Sequence, residues 1–122
     1  MELPALVYDY NDARIESFTV GPRREITLNI SVVSWKGSKG RYATPTPIRF
    51  GGIKNFDEVV AFFRARPFER SELQSLRYSK DHKSKPGHLF IAIAFERNDS
   101  RIVILCSNLN VAGSRPREKK QR

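Results

Sequence analysis

A chain of 122 residues with 22 basic and 13 acidic side chains, formal net charge +9, is long enough for one domain and too short for two. Its 39% apolar content with eight Phe excludes the aromatic-poor composition of a disordered chain, and its single Cys excludes an internal disulfide. No apolar run approaches the roughly 18 residues that span a bilayer and the amino terminus lacks a leader pattern, so a cytoplasmic chain with no membrane partner is expected.

In chain order, the first strand candidate is RIESFTV from Arg14. In the next, Ile26, Leu28, Ile30 and Val32 alternate with Thr27, Asn29 and Ser31 at the two-residue period of a half-buried strand. GPRR between them has turn residues, so the pair is expected to form an antiparallel hairpin. KGSKGRYATPTP follows with two Gly and two Pro, a composition that predicts a surface loop, and IRF after it predicts a short third strand.

The period then changes. Phe56, Val59, Val60 and Phe63 fall on one face of a helix, with Asn55 placed as its N-cap, Glu58 three residues on, and Pro67 as its stop. FERSELQSLRY predicts a second short helix, capped by Ser71, with Leu73 and Leu76 on one side. HLFIAIAFE and RIVILCSNLNV flank RNDS and are nearly continuous apolar runs, expected to form a second hairpin of central strands covered on both faces.

The expected fold is therefore α+β: a small, mainly antiparallel sheet of about five strands with one main helix on one face, in the order β-β-β-α-(α)-β-β, with room to curl toward a barrel. Residues 1–113 form the single domain, and 114–122, with no aliphatic or aromatic residue, form a disordered basic tail.

The charge is unevenly placed. Residues 36–49 carry a net +4, 77–88 a net +3 and 114–122 a net +4, while the remainder is net −2. This is the distribution of a chain that meets a polyanion through particular segments, since net charge alone governs only solubility and association.

Catalytic chemistry fares poorly on inventory. Cys106, inside RIVILCSN, is expected as a small buried apolar side chain with no sequence reason to lie near a histidine, which argues against a Cys–His dyad. One Cys and two His cannot close a four-ligand zinc site, and an open site of His82, His88 and Asp81 would sit among Arg77, Lys80, Lys83 and Lys85, which repel a divalent cation. Asp9, Asp12 and Glu16 could bind magnesium in principle, but a turn leading into the first strand accounts for them. WKGSKGRY has the glycines and lysines of a phosphate cradle without the Gly-Lys-Ser or Gly-Lys-Thr ending of a nucleotide-binding loop. No cofactor, metal or enzymatic activity is expected.

What remains is a basic and aromatic grouping. Trp35, Lys36, Lys39, Arg41 and Tyr42 lie within eight residues, and Arg77, Tyr78, Lys80, Lys83 and Lys85 repeat the theme. Cations for phosphates and rings for bases are the combination that single-stranded nucleic-acid binders use. Arg115, Arg117, Lys119 and Lys120 of the tail would add a mobile electrostatic arm. The expectation is a non-catalytic protein that binds RNA or DNA through these residues. The competing expectation is a protein-interaction, inhibitor or accessory module that meets an acidic protein partner through the same loops or an exposed sheet edge.

Overall fold

Ile26, Leu28 and Ile30 turn inward at every second residue of their strand, and the hydrophobic core is assembled around them. A computed structural model describes residues 3–6, 8–65, 72–96 and 100–111. Within them lie β1 (Arg14–Gly21), β2 (Glu25–Ser31), β3 (Val33–Lys36), β4 (Lys39–Tyr42), β5 (Thr46–Gly51), α1 (Phe56–Arg64), β6 (Leu73–Tyr78), β7 (Leu89–Phe95), β8 (Arg101–Cys106) and β9 (Asn108–Val111). The class is α+β, mostly antiparallel sheet with one short helix among the described residues. In place of the expected single sheet of about five strands, the nine strands among the described residues form three sheets, ordered β1-β2-β5-β9, β3-β4 and β6-β7-β8, because the 36–47 and 72–78 segments and Asn108–Val111 add strands, and the sheets do not close into a barrel.

Both expected hairpins are present. β1 pairs β2 across Pro22–Arg24, and β7 pairs β8. Arg23 and Arg24 hold positive φ of 60° and 62°, a costly backbone for non-glycine residues that Arg24 offsets with long-range contacts. Its Nε donates to the Ile53 carbonyl at 2.8 Å and its guanidinium stacks over Phe56, tying this turn to the segment that starts α1.

Three expectations are corrected. The predicted loop over 36–47 is largely the β3–β4 hairpin, because Gly37, at φ 64°, supplies the turn and Gly40 a flat surface rather than breaking the strands. The predicted second helix is instead β6, a strand. A bulge between Leu73 and Ser75 resets the alternation, so Leu73 and Leu76 both turn inward at a spacing that imitates a helix face. Ser71, Pro67 and the tail from 114 onward lie outside the described residues.

The third correction concerns RIVILCSNLNV, which is two strands in different sheets. At Ser107 the chain leaves β8 and enters β9, with the Ser107 N–H donating to the Gly51 carbonyl at 3.0 Å. Gly51 and Gly52 make the crossing possible, since a Cβ on either would collide with Asn108 or Ser107. Nor are β7 and β8 covered on both faces. Buried and half-buried residues alternate along them, leaving an outer face partly open.

α1 forms where the 3.6-residue spacing placed it, burying Val59, Val60 and Phe63. Phe63 contacts Phe18 of β1 at 5.7 Å and Phe95 of β7 at 6.4 Å between ring centroids, joining helix to both larger sheets. Asn55 occupies the N-cap position but its side chain makes no capping bond. Its Nδ2 donates to the Val103 carbonyl at 2.8 Å and to Glu58 at 3.2 Å, and its Oδ1 accepts from the Leu105 N–H at 3.0 Å, so it fastens the helix start to β8.

Candidate nucleic-acid interface

The β3–β4 ribbon is held to the body by its last residue. Tyr42 donates from its hydroxyl to the Asp12 carbonyl at 3.3 Å, and the Arg14 guanidinium lies 4.0 Å from the centre of its ring. Opposite each other across the ribbon stand Trp35 and Gly40. The indole lies on the glycine, with a Cβ position at Gly40 only 3.0 Å from the ring, so one face of Trp35 is supported and the side chain stays 60% exposed. Burying so large a ring would be worth about 2–3 kcal/mol, a contribution that the exposed indole largely forgoes.

Lys36, Lys39 and Arg41 line, with Trp35, an open depression of about 520 Å³. Here the fold brings together four of the expected residues. Tyr42 is occupied as described above. Tyr78 turns inward, donating to the Pro4 carbonyl at 2.6 Å, and burial raises its hydroxyl pKa. Trp35 is therefore the one of the three rings that stays exposed.

The 77–88 segment is the end of β6 followed by an ordered turn. The Ser79 N–H donates to the Phe90 carbonyl, Lys85 and His88 exchange backbone bonds at 3.0 and 2.8 Å, and His82 stacks on Phe90 at 4.7 Å with Nδ1 3.0 Å from the Ser79 hydroxyl. Both histidines are thus placed by structure. Lys83 and Lys85 project from the turn as exposed cations. Arg77 and Lys80 instead border a trough of about 430 Å³ on the outer face of β6-β7-β8, together with Arg101, which carries no local sequence signal because its position against Ala94 depends on strand register.

Hairpin and trough do not merge. Asn11 and Gln74 line the trough, while Asp12 and Glu72 join Glu96, Trp35 and Tyr42 around a separate cavity of about 350 Å³. Sequence separation hid this carboxylate trio. The Glu96 carboxyl is pushed up to about 7, first by a hydrogen bond with Asp12, then by burial and the charges of Asp12 and Glu72. A carboxyl raised in the folded state stabilises most below its unfolded value near 4.5, and the contribution is lost as pH rises through about 7. Thermal stability is therefore expected to decline between about pH 5 and 7.5, and Glu96→Gln to flatten that part of the curve. An unaltered curve in the variant would show that the pair does not share a proton.

Asp9 accepts from the Asn11 N–H at 3.0 Å, a local turn, and Glu16 pairs with Arg14 at 2.9 Å. Cys106 is fully buried, which pushes its thiol up to about 11. No group of three or more potential metal ligands is found among the described residues. No helix among them is long and apolar enough to cross a membrane. No protein family, curated protein or solved structure matches the chain.

Proposed function

We propose that this chain is a non-catalytic binding protein whose β3–β4 hairpin takes a single strand of RNA or DNA. The observation that carries the reading is Trp35, exposed on a glycine support in a ribbon whose other face carries Lys36, Lys39 and Arg41. A base stacks on the open face of the indole, while Lys36, Lys39 and Arg41, which alternate onto the other face of the ribbon, meet phosphates of a strand that passes around its edge. Lys83, Lys85 and the tail residues Arg115, Arg117, Lys119 and Lys120 add long-range attraction that is screened by salt.

Fluorescence anisotropy with labelled single- and double-stranded RNA and DNA over a salt series tests this. Changing Lys36 and Lys39 together to Glu should weaken single-strand binding at least about tenfold and reduce the log-log salt slope by about two. Equal affinity and slope in the variant would remove the hairpin from the binding surface.

A second reading, a module for an acidic protein partner, is favoured by one feature: β3 and β4 pair only with each other among the described residues, leaving outer edges that can accept a partner's strand. Pulldown with and without nuclease separates the two, because a protein partner is retained after digestion.

A further inference from the structure

The trough on the outer face of β6-β7-β8 has a shape and charge of its own. Along β7, buried Ile91 and Ile93 alternate with outward Ala92 and Ala94. On the flanking strands, Arg77 stands opposite Ala92 and Arg101 opposite Ala94. With strands about 4.8 Å apart and residues about 3.4 Å apart along them, the two arginine Cα atoms lie roughly 12 Å apart, on a diagonal across the alanines. Two long side chains rooted at that separation can reach one anion from opposite sides, and the small methyl groups beneath leave room for it. Lys80 joins them at the rim, fixed there by the Ser79 bond to Phe90 and the His82 stack described above. Asp81 is the one carboxylate among the lining residues, so three cations leave the trough net positive.

We propose that this trough is a phosphate-binding site, in which Arg77 and Arg101 grip one phosphate group and Lys80 strengthens the field around it. Guanidinium groups present paired N–H donors that match phosphate oxygens, and Asn11, Gln74 and Ser75 supply neutral partners for the rest of the ligand. The cavity of about 430 Å³ is within the usual range for small-ligand sites. The phosphate can belong to a free nucleotide or to the backbone of a nucleic-acid strand. The second source rests on the hairpin reading of function, which this site then extends, whereas the first does not depend on it.

Amide NMR titrations of the full chain with 5′-AMP and, separately, with a short single-stranded RNA distinguish the sources. Saturable shifts at Ala92, Ala94 and Arg101 are expected. A response to RNA alone assigns the site to a strand, and a response to AMP as well assigns it to free nucleotides. Arg77→Ala with Arg101→Ala should weaken the response about tenfold or more, and Ala92→Leu, which fills the floor without changing charge, should weaken it too. If neither ligand moves these amides, or if the shifts survive both variants, the phosphate site is refuted. RNA binding that is abolished by Trp35→Ala while the trough stays silent would leave the proposed function standing and refute only the trough. AMP shifts in a chain that binds no RNA would do the reverse.

Discussion

Trp35→Ala is expected to weaken single-strand binding about five- to hundredfold while leaving the fold and the salt slope unchanged. The magnitude follows from base-on-ring stacking, which is worth about 1–3 kcal/mol per base on alanine substitution. The fold should tolerate the change, because Trp35 is 60% exposed and lies on Gly40 of its own ribbon. Substitutions at such surface positions alter stability by about 0.5 kcal/mol or less. The salt slope counts phosphates neutralised, and removing a ring neutralises none fewer. Trp35→Ala and the Lys36/Lys39 reversal therefore have different signatures, affinity without slope against affinity with slope. Gly40→Val reaches the same ring from below, since a Cβ there would come within 3.0 Å of the indole and 3.2 Å of Val33. It should lower affinity as Trp35→Ala does, although every charge is kept. Wild-type affinity in Trp35→Ala would end the stacking account.

Asn55→Asp is expected to destabilise the protein by about 1–3 kcal/mol, although Asp and Asn are near equivalents at helix N-caps. The difference lies in the donor. Asn55 gives its Nδ2 hydrogens to the Val103 carbonyl and to Glu58, and only its Oδ1 role, accepting from Leu105, survives in Asp. The substitution leaves a part-buried carbonyl without its donor and sets a second negative charge against Glu58. For a domain of about 100 residues each kcal/mol lowers Tm by about 4–8 °C, so the effect is readily measured by thermal melts. If Asp melts with the wild type, Asn55 acts as an ordinary cap and the tie to β8 contributes little.

Asn55 also shows where reading the sequence succeeded and where it stopped. Its position at the start of α1 was legible from the apolar spacing of Phe56, Val59, Val60 and Phe63, a local pattern. Its partners were not, because Val103 and Leu105 are about fifty residues away and belong to a strand that only the fold brings near. Leu73 and Leu76 imitate a helix face for a related reason. Local spacing cannot distinguish a helix turn from a strand whose alternation has been reset by a bulge, and the partner β7 decides between them. The glycines of KGSKG have the composition of a loop, yet Gly37 makes the turn and Gly40 carries an indole from the opposite strand.

The candidate site divides in the same way. Lys36, Lys39, Arg41 and Trp35 are close in sequence, and a ribbon joined by a two-residue turn keeps them close in space. Tyr78 matched its composition but not its direction, since strand alternation sends it inward to Pro4. Arg101 and the trio of Asp12, Glu72 and Glu96 come from distant segments and left no local signal.

The sequence by itself determined the two hairpins, the helix, the buried cysteine and the basic, aromatic character of residues 35–42, all consequences of short-range periodicity and composition. The tertiary structure alone decided that the strands divide among three sheets, that β8 and β9 part at Ser107, and which cations share a surface. Register and sheet partnership are set by contacts between residues far apart in the chain, and a two-residue period is the same whichever neighbour a strand finds.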